Sequence, residues 1–255
     1  MHPDDQRKRI VDAIPELSGF RLSLIYQILS VLAEPVSFTR HPDSDLVSQG
    51  VLDDFGDVLR VHHSFSREPF SKDKFEYALD QVMASNGREA KLAPRGTRGF
   101  DITIASEKFS LKTEAAKAIK VNSLHISKFM ELGGGDWGDN PDDLIGLRDQ
   151  FLTNLDGIER ILTLRALDKL NPYRYELVEI PRPLLAKARD GDLEMKLKST
   201  QFPKPGYCYV RDAAGTLQFS LYFDGGGERK LQIKGLNKDL CRVHATWKFE
   251  LPTSS

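Results

Sequence analysis

Apolar residues recur at helical spacing near the start of the chain. Ile10, Ile14 and Leu17 form one stripe and Leu24, Ile28 and Leu32 another, so residues 4–33 predict an all-helical entry segment broken near Pro15 and Gly19. A second helix is predicted over 73–83, with Gly87 as its left-handed cap. Asn140-Pro141-Asp142-Asp143 supplies the cap, first-turn proline and early carboxylates of a third helix, and Leu144, Leu147, Phe151, Leu155, Ile158 and Leu162 form its buried stripe. A period of two marks strands at 100–104 and 108–114, and then at 175–180, 207–211, 217–223, 229–234 and 242–249. The turns between the last four strands predict an antiparallel meander. The stretch from 115 to Glu131 predicts helix or irregular chain. Gly133-Gly134-Gly135 lacks a following Lys-Ser or Lys-Thr and is a turn rather than a phosphate loop.

These elements predict an α/β (α+β) protein, a mixed central sheet flanked by helices with a C-terminal antiparallel strand subdomain. Residues 1–50 would be a helical region, 51–172 a catalytic core and 173–255 a strand-rich recognition subdomain. Composition supports a folded chain, since 255 residues with 40% hydrophobic and 29% charged residues can bury a sizeable core. The 36 Lys plus Arg nearly cancel 37 Asp plus Glu, so a polyanion would have to be held by a local basic surface. Cys208 and Cys241 are too few for a disulfide scaffold and too far apart for a zinc knuckle, which suits a reducing compartment. With no signal-peptide pattern and no membrane-length apolar run, a cytoplasmic protein is expected.

Candidate chemistry concentrates in the first hairpin. Strand alternation puts Asp101 and Thr103 on one side, and Ser110, Lys112 and Glu114 on one side of the next strand. If the two faces coincide, two carboxylates and an ammonium converge in an otherwise apolar segment. Phosphodiester hydrolysis uses such a group. Carboxylates hold a divalent ion that activates water and offsets charge in the transition state, while a lysine orients the water or stabilises that charge. Magnesium suits an all-oxygen site. Asp101 and Glu114 are assigned to metal and Lys112 to the nucleophile.

Basic residues are the candidates for nucleic acid. Residues 88–99 form a loop carrying Arg95 and Arg98. In the last two strands Lys230, Gln232 and Lys234 alternate with apolar residues, as do Arg242, His244, Thr246 and Lys248. Adjacent pairing of those strands would give a donor-rich ribbon for phosphates and guanine edges. Residues 201–250 carry eight Lys plus Arg against five Asp plus Glu, a modest local excess that an ordinary solvated sheet face would also show. Arg229 follows the tight Asp224-Gly225-Gly226-Gly227-Glu228 turn, and His125 and Lys128 lie just past the first hairpin. His62-His63 is set aside as a metal pair, because neighbours on a strand would point opposite ways.

Several stretches together resemble the SmaI family of type II restriction endonucleases and, more distantly, the MutH, MvaI and BcnI nucleases. They are Asp53-Asp54-Phe55-Gly56-Asp57, Phe75-Glu76, Asp101-Ile102-Thr103-Ile104, Leu111-Lys112-Thr113-Glu114-Ala115-Ala116-Lys117, His125-Ile126-Ser127-Lys128, Met130-Glu131-Leu132-Gly133, Lys204-Pro205-Gly206-Tyr207 and 219–234. The resemblance spans about residue 50 to the C-terminus. It implies a PD-(D/E)-x-K nuclease that hydrolyses duplex DNA at CCCGGG with Mg2+, leaving 5′-phosphate and 3′-hydroxyl ends, beside a partner methyltransferase. A homodimer or a monomer acting twice would each serve. On the resemblance Asp101 and Lys112 match the motif aspartate and lysine, and Glu76 matches a glutamate that MutH-like members carry on a helix. Phe100 replaces the motif proline and Ser110 stands where the second acid is expected, so either Glu114 or Glu76 must supply that carboxylate. A DNA-nicking repair enzyme and a DNA-binding protein that has lost catalysis are the alternatives.

Overall fold

A computed structural model describes residues 2–94, 96–97, 99–133 and 137–252. Arg95 and Arg98 lie outside the described residues. The chain opens with helices α1 (Pro3–Ala13) and α2 (Gly19–Ala33), then strand β1 (Val36–Arg40) and helices α3 (Gln49–Phe65) and α4 (Lys72–Ser85). Strands β2 (Ala90–Leu92), β3 (Ile102–Ile104), β4 (Glu107–Glu114) and β5 (Ser123–Glu131) precede helix α5 (Asp143–Asp156). The second half holds β6 (Arg160–Asp168), β7 (Tyr173–Ile180), short helix α6 (Arg182–Ala186), β8 (Asp192–Met195), β9 (Gly206–Arg211), β10 (Leu217–Asp224), β11 (Lys230–Asn237) and β12 (Arg242–Phe249).

Among the described residues the strands form two sheets. The first, mixed, has the order β1-β12-β7-β6-β4-β3-β2, with β4 and β6 parallel. The second is antiparallel, in the order β5-β11-β10-β9-β8. Helices α3 and α4 cover one face of the first sheet, where Phe55, Phe75, Phe109, Leu111, Leu162, Leu164 and Trp247 are buried together. Trp247 Nε1 donates to the Leu52 carbonyl at 2.8 Å, which satisfies its one polar atom. The opposite face and the second sheet enclose α5, with Phe151, Ile161, Val178, Phe219 and Ile233 in one core. Each large side chain so buried contributes on the order of 1.5–3 kcal/mol. Gly56 lets α3 approach β1, since a Cβ there would sit 2.2 Å from the Phe38 ring.

The mixed sheet with flanking helices and the antiparallel second sheet match the sequence reading, as do the broken entry helix and the helix capped at Gly87, whose φ is +72°. Several features differ, among them strand β2 inside the stretch expected to be a loop. Residues 123–131 are strand β5, and bulges against β11 blur the alternation that would reveal it. The third helix stops at Asp156; Ile158 lies between it and β6, and Leu162 belongs to β6, which is buried on both faces from Arg160 to Ala166. The meander ends at β11, since β12 crosses to the first sheet between β1 and β7. A division at 172 would separate β6 from β7, which are hydrogen-bonded neighbours, and β1 likewise takes part of the first 50 residues into the main sheet.

Candidate active site

Helix α4 and the β3–β4 hairpin meet at one end of the first sheet. Ser71 caps α4, its hydroxyl accepting from the Lys74 amide at 3.4 Å. The 3.6-residue period then puts Lys72 and Glu76 one turn apart on the same side. The hairpin turns through Ala105 and Ser106, both left-handed at φ 48° and 73°, as a two-residue loop between right-twisted strands requires. Asp101 precedes β3 and is locked at backbone level, its amide donating to Phe109 O at 2.8 Å and its carbonyl accepting from the Ala93 amide at 2.9 Å.

The Asp101 carboxylate is oriented from two sides. Oδ2 accepts from the Leu111 amide at 2.6 Å and the Ser110 hydroxyl at 3.3 Å, while Oδ1 accepts from Lys72 Nζ at 2.6 Å. Lys72 Nζ also lies 2.8 Å from Glu76 Oε1. One ammonium is therefore shared by Glu76 and Asp101. Burial works to lower the Lys72 pKa, but hydrogen bonds to Asp101 and Glu76 win and hold it above its ordinary value. That shared cation is the direct sign that these two carboxylates can jointly hold a positive ion. Ser110 stands in the second-acid position as a hydroxyl that aims Asp101.

Lys112 lies on the same face of β4, 8% exposed, with its Nζ 5.1 Å from the centre of the Phe129 ring. Burial lowers its pKa to about 8; the charges of Asp101 and Glu76 pull it back up and Lys72 pushes it down. An amine so placed is close to titration near neutrality and needs little energy to change its proton content. Beside these residues an open cleft of about 360 Å³ is lined by Lys72, Glu76, Phe100 and Asp101, with Leu92, Ala93, Pro94, Gly96 and Thr97.

Glu114 is not brought to this group, which corrects the hairpin assignment. Although it shares the strand face of Lys112, its carboxylate is buried against Arg165 Nε at 2.5 Å and accepts from the His125 amide at 3.0 Å. Burial raises its pKa against the opposing pull of Arg165. Arg165 also pairs with Glu176 and donates to the carbonyls of Lys120, Val121 and Ser123. All of its nearby donors are thus engaged in structure.

The expected basic ribbon is not formed, because β11 and β12 lie in different sheets. His244 is fully buried, its Nε2 2.7 Å from Glu179 and its Nδ1 2.9 Å from the Ser44 hydroxyl, and it has no edge free for a base. Asp45, Glu179 and His244 do converge like metal ligands. The Arg160 guanidinium supplies the positive charge there, at 2.9 Å from Asp45 and 2.5 Å from Glu179. Arg242 and Lys248 are exposed on β12, with Arg242 3.4 Å from Asp45. Lys230 pairs with Glu228 at 2.7 Å, and Lys128 with Glu131 at 2.8 Å. Arg229 is half-buried with a left-handed φ of 41° at the start of β11. Lys234 lies 3.7 Å from the centre of the Tyr222 ring. His62 and His63 are consecutive in helix α3, not in a strand, and each ring is tied to structural partners: Glu68 O for His62, Ser66 O and the Tyr175 hydroxyl for His63.

Sequence reasoning did not single out Lys72, although its i, i+4 relation to Glu76 was available, nor Arg165, whose only signal is one charge inside the apolar run of β6.

Comparison with known proteins identifies the family. The profile of the SmaI family, type II site-specific deoxyribonucleases, matches residues 10–249. The chain belongs to the SmaI family. Its members are endonucleases acting on double-stranded DNA, and this class works with a divalent metal. The chain is 47% identical over 211 residues to the type II restriction enzyme SmaI of Serratia marcescens, covering 82% of this chain and 83% of that one. No solved structure matches the chain. Among the described residues no helix is long and apolar enough to cross a membrane.

Proposed function

We propose that this SmaI-family enzyme cuts duplex DNA at CCCGGG with Mg2+, using Glu76, Asp101 and Lys112. The observation that carries the site assignment is the Lys72 ammonium shared between Glu76 and Asp101. Glu76 and Asp101 would hold a hard divalent cation, for which carboxylate oxygens are suited ligands. Bound there, it would activate water and offset charge on the reacting phosphate. Ser110 and the Leu111 amide keep the Asp101 carboxylate aimed. Lys112 Nζ, on the same side as Asp101, would supply a proton or a positive charge to the reacting group. With a cation held by Glu76 and Asp101, Lys72 would be released from those carboxylates and could meet a phosphate oxygen.

For DNA contact, Arg229, Lys230, Lys234, Arg242, Lys248 and Lys128 are kept as candidates, and Arg95 and Arg98 remain so from sequence. His244 is withdrawn because it is enclosed. A cytoplasmic enzyme, a genetically linked methyltransferase that protects the same site, and a homodimer complete the reading.

The test is linear duplex DNA with one CCCGGG and Mg2+. Two discrete fragments are expected, and none from a duplex with that site scrambled. Nicks alone would point to a repair-type enzyme, and a mobility shift without cutting would point to a binder.

A further inference from the structure

Lys72 is the first residue of α4, directly after the Ser71 cap, and lines the same cleft as Glu76 and Asp101. Its Nζ donates to Asp101 Oδ1 at 2.6 Å and lies 2.8 Å from Glu76 Oε1. Among the described residues these carboxylates are its only polar partners. The other Asp101 oxygen is already engaged, since Oδ2 accepts from the Leu111 amide and the Ser110 hydroxyl. The ammonium thus holds the one Asp101 oxygen that the hairpin leaves over. Lys112, the other amine of the group, makes no hydrogen bond or ion pair with either carboxylate. The Lys72 side chain is 40% exposed, so rotation about its own bonds is enough to release both oxygens while the capped first turn stays in place.

We propose that Lys72 is a built-in competitor for the divalent cation, and that it sets how weakly the DNA-free protein holds that ion. The inference rests on the reading of Glu76 and Asp101 as the metal pair. Lys72 must leave Asp101 Oδ1 and Glu76 Oε1 before a divalent ion can take them, so two partly exposed ion pairs are subtracted from the affinity of the site. Two observations separate this from an ordinary helix ion pair. A surface lysine on α4 needs only its i, i+4 neighbour, whereas Lys72 also bridges to Asp101, a residue of another element. It also keeps two like charges together, which would otherwise repel each other in the cleft. A phosphate that draws the ammonium away removes the competitor, so duplex DNA and the cation strengthen each other's binding through this one side chain.

Titration of the full chain with Mn2+ in the absence of DNA, the free ion being followed by electron paramagnetic resonance, tests this without any cleavage. Lys72→Met drops the ammonium and should bind Mn2+ about tenfold more tightly than the parent, the factor that two partly exposed ion pairs supply. Its circular dichroism should match the parent, because the side chain is partly exposed. Lys72→Arg keeps a competing cation and should stay within about threefold of the parent. Lys74→Met removes the same charge two residues further along α4, outside the cleft lining, and should also stay within about threefold. Asp101→Asn should bind about tenfold more weakly. Parental affinity in Lys72→Met beside weakened binding in Asp101→Asn overturns the competition and leaves the metal pair standing. Equal tightening in Lys72→Met and Lys74→Met overturns it too, since general charge would then explain the effect. Unchanged affinity in Asp101→Asn overturns the metal pair, and the competition with it.

Discussion

Replacing Lys112 with methionine is expected to slow single-turnover cleavage of duplex DNA by about 10³-fold, and Asp101→Asn to do the same or more, within the ~10²–10⁴ range of removing a positioned proton-transfer or charge-stabilising group. Methionine keeps the stem that packs against Phe129 and removes only the amine. That amine makes no hydrogen bond or ion pair among the described residues, and burial disfavours its charge, so losing it should not lower stability. Asparagine at 101 retains an acceptor for the Leu111 amide but loses the negative charge that Lys72 now neutralises. Both variants should melt within a few degrees of the parent and still bind duplex DNA. Cleavage by either variant within tenfold of the parent would remove that residue from the chemistry.

Arg165→Met should be the most damaging single change to stability, at about 3–5 kcal/mol, the usual cost of removing one partner from a buried ion pair. The guanidinium is fully buried between Glu114 and Glu176, and its loss strands two carboxylates and three backbone carbonyls. Lys238, 3.1 Å from Glu176, can retain one of the carboxylates, but Glu114 keeps only the His125 amide. Urea unfolding measures the loss directly. Adding Glu114→Gln and Glu176→Gln to Arg165→Met should recover a good part of it, because the stranded charges are then gone. A loss below about 1 kcal/mol would mean that the network contributes little.

The parts of this site legible in the sequence are those set by local geometry. Asp101, Ser110 and Lys112 follow from strand alternation across a two-residue turn. The convergence of Asp101 with Lys112 needs only the hairpin to close. Glu114 obeys the same alternation, yet what decides its role is Arg165, opposite it in parallel register on a strand 51 residues later. No local pattern reports a parallel partner. Glu76 entered through resemblance, and its meeting with Asp101 depends on how α4 packs across the sheet. Helix α3 escaped the reading although Val51, Leu52, Phe55 and Leu59 line its buried side, because Gly50, Gly56 and three aspartates dilute the stripe. The basic ribbon failed for a topological reason: the short 238–240 turn carries the chain from one sheet to the other, so consecutive strands are not neighbours.

In the proposed site Glu76, not Glu114, completes the metal-binding pair with Asp101. Single-turnover cleavage by Glu76→Gln and Glu114→Gln, measured side by side at a temperature where both are folded, tests it most directly. A loss of about 100-fold or more is expected for Glu76→Gln at near-parental stability, and activity within a few-fold of the parent for Glu114→Gln. Parental cleavage by Glu76→Gln together with an inactive but folded Glu114→Gln would contradict it.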